Sequence, residues 1–203
     1  LVPNAFFRGS DRAQPSIARA LRRLISGAPS SARYTRSLAE RVRSLRVEGQ
    51  GWIDLSTLAG FTELEWLQLG PHSSREPSSP SDRIHTTGAR ALTELPCLRR
   101  LELHSLNLIQ LGDLPLEGLG RLQSLKLVSC PIQNIQGAAW LSSLETLEIG
   151  IRQGNGWTDL ETIPLFEVEE LHQLPRLRHL SLHRVQINRL PLLSQLETLE
   201  LGM

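Results

Sequence analysis

The feature that most constrains the fold is a leucine pattern that recurs along the chain. Between Arg121 and Ile149 it completes one unit, L-x-x-L-x-L-x-x-C-x-I from Leu122 to Ile132, and restarts at Leu144 after 22 residues. Leu125 and Leu127 alternate with polar neighbours, which is the period of a strand with one buried face. One such unit buries too few aliphatic side chains to offset the ordering of its backbone, so it must stack on neighbouring units.

Seven copies of the pattern follow one another from residue 42 onward. They begin at Val42, Leu64, Leu98, Leu122, Leu144, Leu177 and Leu196. Two of the steps between copies are 34 and 33 residues long, whereas the others are 19 to 24. A shift of 79 or 80 residues superimposes the first three copies on the next three. We interpret this as a tandem duplication of a three-repeat block, in which insertions at 70–87 and 150–166 correspond.

The motif resembles the leucine-rich repeat, because residues 122–132 match the consensus L-x-x-L-x-L-x-x-N/C-x-L at every fixed position. The step of 22 residues, with Ile135 and Leu141, is similar to the short, internalin-like class of that family. The resemblance implies an α/β solenoid over residues 42–203, with parallel strands on a concave face and short helices or turns on a convex face. Segments such as IDLSTLAGFTELEWLQL also resemble the repeat tails of bacterial NACHT-type signalling ATPases, in which a repeat array senses a ligand.

The first part of the chain differs in composition from the repeats. Residues 1–46 hold ten arginines against two acidic residues. Ser16 can cap an amphipathic helix that runs to Ile25, so we expect residues 1–41 to be a basic helical N-terminal cap or linker. No aromatic residue is interleaved with the arginines of this helix, which disfavours nucleic acid as a partner. The opening LVPNAFFRGS has no periodicity, and we expect no regular structure there.

Both insertions are predicted to leave the same rim of the solenoid. The first is rich in Ser and Pro, and the second contains Gly154-Asn155-Gly156, a turn that would present Trp157. Equivalent points of the two blocks are three strands apart, which is roughly 15 Å. Loops on a rigid scaffold are where binding concentrates, so Trp157 is a candidate contact residue.

The outward positions of the strands are the other predicted binding surface. Trp66 beside Arg100 is the leading candidate, since Trp and Arg dominate interface energetics, although the adjacent insertion could instead cover Trp66. Glu102, Lys126 and Glu148 are expected to form an ion-pair ladder across three strands. Trp52 and Trp140 are expected in the core. The predicted binding residues are Trp66, Gln68, Arg100, Glu102, His104, Lys126, Glu148, Trp157, His179 and His183.

The sequence contains no recognisable catalytic constellation, so we expect a protein that is not an enzyme. His179 and His183 would lie about 13 Å apart on one strand, too far to hold one metal ion. The two cysteines, Cys97 and Cys130, form no C-x-x-C pair, and no phosphate-binding loop is present. We therefore expect neither a metal nor a cofactor, no small-molecule substrate and a reducing, cytoplasmic location. No apolar run reaches the ~20 residues of a membrane span.

These observations predict a recognition module for a protein partner. Three settings remain open for such an array: the sensor of a larger signalling protein, a free-standing interaction protein or secreted effector of the internalin type, and a substrate-recognition domain of an enzyme or effector whose catalytic domain lies outside these residues. The chain stops on the strand that ends at Leu201 without a polar cap, which predicts either further repeats or pairing at that edge.

Overall fold

The chain folds into a row of short parallel strands stacked side by side. The computed structural model describes residues 4–8, 40–48, 52–70, 84–150 and 166–202. The strands are β1 (Asn4–Arg8), β2 (Ser44–Glu48), β3 (Trp52–Asp54), β4 (Trp66–Leu69), β5 (His85–Thr87), β6 (Arg100–His104), β7 (Ser124–Val128), β8 (Thr146–Gly150), β9 (His179–His183) and β10 (Thr198–Gly202). Within these ranges one sheet runs β1-β2-β4-β6-β7-β8-β9-β10, and β3 pairs with β5 in a small second sheet.

The register of the large sheet follows the leucine pattern. All its neighbouring strands are parallel, and the first strand leucine of each repeat lies beside the equivalent leucine of the next. That row is Leu45, Leu67, Leu101, Leu125, Leu147, Leu180 and Leu199. The seven predicted strands and the α/β solenoid are therefore confirmed, and the core lies behind the sheet, where most of these leucines are fully buried.

The convex side is built from short 3-10 helical turns, in which side chains three residues apart point in the same direction. The longest are Ser56–Gly60, Ala89–Glu94 and Glu169–Gln173, with shorter ones at Leu111–Asp113, Leu116–Gly118 and Ala138–Trp140. In the five repeats between Leu58 and Leu177, three apolar residues spaced by three point into the core, as Leu171, Leu174 and Leu177 do. The amides of Leu174 and Leu177 bond to the carbonyls three residues earlier. A three-residue apolar period suits the eclipsed i, i+3 side chains of a 3-10 turn.

A sharp turn follows the strands and redirects the chain. Ser105, Ser129 and Arg184 each stand one residue past a strand and adopt positive φ angles of 57°, 55° and 53°. In the turn after β7, the buried thiol of Cys130 lies 3.5 Å from the carbonyl oxygen of Leu103 and 3.6 Å from that of Val128. Cys130 therefore supplies a small hydrogen-bonding group in this narrow turn.

Two sequence interpretations that concern the fold are wrong. Residues 4–8 were expected to lack structure but form β1, in which Ala5 and Phe7 are in register with Leu45 and Val47 of β2. Trp140 was expected in the core and is 58% exposed. Its neighbours Ala138 and Leu141 follow the three-residue period into the core, so Trp140, two positions after Ala138, points away from it.

Several expectations concern residues outside those that the structure describes. They are the helix from Ser16 to Ile25, most of both insertions, and Trp157. The Trp52 side chain likewise is not described. Within the described ranges, no helix is long and apolar enough to cross a membrane.

Candidate functional site

The concave face is the side of the large sheet opposite the core, and its middle row crosses the strands in register. This row contains Arg46, Gln68, Glu102, Lys126, Glu148, Ser181 and Glu200. The row before it contains Ser44, Trp66, Arg100, Ser124, Thr146, His179 and Thr198. Alternation along parallel strands therefore brings seven of the predicted binding residues into two adjacent rows.

Trp66 is held in place from both neighbouring strands while its side chain stays partly exposed. The guanidinium of Arg46 on β2 lies over the indole ring, 5.6 Å from its centroid. On the other side the indole Nε1 donates a hydrogen bond of 2.9 Å to Oε1 of Glu102 on β6. Arg100, the other residue of the leading candidate pair, is in register with Trp66 and is exposed. The ring is thus fixed before any partner arrives.

Gln68 and His104 were expected to face solvent and are buried, with exposures of 0% and 2%. Arg46 explains the first burial, because its Nε donates to Oε1 of Gln68 at 2.9 Å on the way to the Trp66 ring. His104 ends β6 against Gly70, where a side chain would meet the His104 carbonyl oxygen at 2.0 Å. Nε2 of Gln68 and Nε2 of His104 have no hydrogen-bond partner in the described structure.

Glu102 connects the exposed indole to the buried imidazole. Its Oε2 lies 3.5 Å from Nε2 of His104, which is long for a hydrogen bond. The pKa of Glu102 is lowered, first by the interaction with the His104 side chain and then by the hydrogen bond from Trp66, while partial burial opposes the shift. The positive charge of Lys126 lowers this pKa further. Glu102 is therefore the ionised centre of the cluster.

The expected ladder of Glu102, Lys126 and Glu148 forms only in its second half. Nζ of Lys126 lies 2.6 Å from the Glu148 carboxylate, whereas Glu102 makes no ion pair with Lys126. The reason is that the two oxygens of Glu102 face Trp66 and His104. Lys126 and Glu148 are each about 30% exposed, so their pair forms part of the accessible surface.

A second polar cluster occupies the equivalent strand of the duplicated block. Oγ of Ser181 lies 2.7 Å from Nε2 of His183 and 3.3 Å from Oε2 of Glu200. A Ser-His-carboxylate triad needs the carboxylate on the other ring nitrogen from the serine. Here Oε2 of Glu200 lies 4.0 Å from Nε2 of His183, which is the nitrogen that also faces Ser181. The other ring nitrogen, Nδ1, is packed against Gly202. This geometry does not activate a nucleophile.

His179 and His183 do not combine into one site. Nδ1 of His179 lies 2.5 Å from the Thr198 hydroxyl, while His183 interacts with Ser181. Among the described residues, no group of three or more His, Cys, Asp or Glu side chains could hold a metal ion.

Sequence reasoning missed the role of Arg46. The strand pattern of the sequence places Arg46 in the middle row beside Gln68. No sequence motif indicates, however, that its guanidinium reaches the indole of Trp66 in the adjacent row. Arg46 joins Trp66 to Gln68, and Glu102 joins Trp66 to His104. Lys126 and Glu148 lie next to this cluster, whereas His179 and His183 lie in the other block.

Comparison with known proteins gives little further guidance. No family model matches the chain, and no curated protein matches it. Among solved structures, it is similar to an internalin (inlF) from Listeria monocytogenes str. 4b F2365, with 21% sequence identity and a TM-score of 0.46. The match covers 78% of this chain and 45% of the internalin chain. The leucine-rich repeat solenoid is shown by this chain's own strand register and by the three-residue period of its buried apolar residues.

Proposed function

We propose that this chain is a macromolecular recognition module that binds a protein through its concave face. The observation that supports the proposal is the state of Trp66, which is accessible and already fixed by Arg46 and Glu102. Immobilising a flexible side chain at an interface costs about 0.5–1.5 kcal/mol, and a fixed ring avoids most of that cost. Tryptophan and arginine at the centre of an interface are also the residues whose truncation most weakens binding.

The contact surface proposed here extends from β2 to β9. Its centre is Trp66 with Arg100, followed by the ion pair of Lys126 with Glu148. His179 and His183 contribute polar contacts at the far end, and Trp157 belongs to the same proposal as a rim contact. Gln68 and His104 support the surface from beneath, because both are buried.

The module would serve a larger protein either as its sensor or as the part that selects its substrate. For the compartment we propose the cytoplasm, which the two free cysteines, Cys97 and Cys130, support. Labelling of Cys97, the more accessible thiol, in freshly lysed cells tests this assignment. Protection of Cys97 as a disulfide in the native protein would contradict it.

The test of recognition is affinity capture from native lysate with the whole chain and two variants. Trp66→Ala removes the partly exposed indole of the concave face. Trp140→Ala is the matched control, because it removes an indole that is 58% exposed on the convex side. We expect a protein that is retained by wild type and Trp140→Ala and lost with Trp66→Ala. Equal retention by all three proteins would contradict the proposed face.

A further inference from the structure

Charge is segregated along the concave face and the rim just before its strands. The β2, β4 and β6 end, which we call the basic half, carries Arg43, Arg46, Arg99 and Arg100 against Glu65 and Glu102, and Glu48 ends β2. The β8, β9 and β10 end, which we call the acidic half, carries Glu145, Glu148, Glu197 and Glu200 against Arg178. Lys126 on β7 stands between the two halves.

Glu65 and Glu102, the two carboxylates of the basic half that neighbour Trp66 and Arg100, are already engaged. Glu102 accepts the indole hydrogen bond and faces His104. Glu65 pairs with Arg43 at 3.8 Å. By contrast Arg99 and Arg100 are exposed, and neither guanidinium has a partner among the described residues. The basic half therefore presents two adjacent, uncompensated positive charges beside Trp66.

The acidic half shows the opposite arrangement. Glu197 pairs with Arg178 at 2.7 Å, and Glu148 pairs with Lys126 at 2.6 Å. Glu145 has no ion-pair partner in the described structure, and the 65% exposed side chain of Glu200 is approached by a hydroxyl and an imidazole, not by an arginine or lysine. Two carboxylates thus remain available at this end.

The two ends are a short peptide length apart. Four strand spacings separate β6 from β10, which is about 19 Å at ~4.8 Å each. An extended segment of about six residues covers this distance at ~3.3 Å per residue. Nucleic acid would meet repulsion along the whole acidic half, and so would a uniformly acidic peptide.

We propose that the concave face binds an extended segment of its partner that is acidic at one end and basic at the other, with the acidic end over Arg99 and Arg100. This inference rests on the proposed recognition function and names the chemistry of the partner. Opposite charges across an interface fix the direction in which a segment lies and accelerate its association.

The test uses two fluorescein-labelled peptides of identical composition at low ionic strength, where exposed charges are least screened. In one, a run of glutamates and a run of lysines are separated by a Gly-Ser spacer; in the other, glutamate and lysine alternate. Fluorescence anisotropy should show the block peptide binding the whole chain about tenfold more tightly than the alternating peptide, which corresponds to ~1.4 kcal/mol. Equal affinities, or no binding of the block peptide, would overturn the inference.

Charge reversal locates the binding. Arg100→Glu should abolish the preference for the block peptide, whereas Arg90→Glu, an equal change on the exposed side of the convex 3-10 turn Ala89–Glu94, should leave it intact. The same preference in both variants would overturn the placement. Dimerisation of the chain alone, lost in Arg100→Glu, would instead assign the face to a second copy and also overturn the inference.

The outcome can be separated from that of the recognition proposal. If capture of a protein from lysate depends on Trp66 but is unchanged by Arg100→Glu, recognition through the concave face at Trp66 stands without Arg100, and the segregated-charge inference fails.

Discussion

Truncation of one buried leucine in the middle of the sheet tests the stacking of the repeats quantitatively. Leu125 is 0% exposed and lies in register between Leu101 of β6 and Leu147 of β8. Because the parallel ladder fixes the backbone on both sides, the neighbours cannot collapse into the space that Leu125→Ala leaves. Leucine-to-alanine substitutions in such sites cost about 2–5 kcal/mol, and we expect a value in the upper half of that range.

The same row provides a matched control. Leu199 of β10 is in register with Leu180 and occupies the equivalent position, but it is 43% exposed because no described strand covers its other side. Leu199→Ala should therefore cost only about 1 kcal/mol. The two substitutions are chemically identical, so their difference measures what a second neighbouring repeat contributes.

The assay is urea unfolding of the whole chain followed by far-ultraviolet circular dichroism, with wild type and both variants at one protein concentration. Repeat arrays can unfold in segments, so the slope of each transition is compared before free energies are calculated. A loss below about 1 kcal/mol for Leu125→Ala, or equal losses for both variants, would refute the reasoning that nearest-neighbour stacking stabilises this fold.

Three further substitutions test individual contacts. Gly70→Ala should strongly lower the free energy of unfolding, because Gly70 has φ +97° and a Cβ would meet the His104 carbonyl oxygen at 2.0 Å. Gly120→Ala is the control: the atom nearest to its added Cβ would be 3.5 Å away, so this variant should be nearly neutral in the same urea titration. Since the folded pKa of Glu102 is below its ordinary 4.5, the stability it contributes is present above that value and is lost as pH falls through the lowered folded pKa. Urea titrations from neutral to acidic pH should show this loss in wild type and not in Glu102→Gln, and parallel curves would contradict it. Lys126→Ala should cost only about 0.2–1 kcal/mol, because its cross-strand ion pair is partly exposed, and a larger loss would indicate a buried role.

The strands were predictable because their signal is repetitive. Leu125 and its equivalents recur with the same neighbours in seven copies, so the register could be derived from spacing alone and agrees with the observed pairing. The first strand, residues 4–8, pairs with β2 but lacks the L-x-x-L-x-L motif. The leucine period therefore could not predict it.

The direction of single side chains was predicted less well. Alternation correctly puts Gln68 and Glu102 on the concave face, but it does not say what lies above them. Arg46 crosses Gln68 to reach Trp66, which buries a side chain that faces away from the core. This contact depends on the side-chain rotamers of two adjacent strands, which the spacing of the sequence does not encode.

Trp140 illustrates a different limit. Trp140 was expected in the core because it adjoins the inward repeat position of Leu141, whereas the period of the 3-10 turn decides the direction of its side chain. Ala138 and Leu141 follow that period inward, and their exposures are both 0%. Reading the convex side with a period of three would have placed Trp140 outside.

Site-specific photocrosslinking tests the central claim, recognition through the concave face, most directly. A photoreactive phenylalanine at Ser124, in the row of Trp66 and Arg100, would lie at the middle of the proposed contact surface, and one at Ala139 would lie on the exposed convex side. After irradiation in native lysate, we expect a partner band from the Ser124 position and none from Ala139. A band from Ala139 alone, or the same band from both positions, would contradict recognition through the concave face.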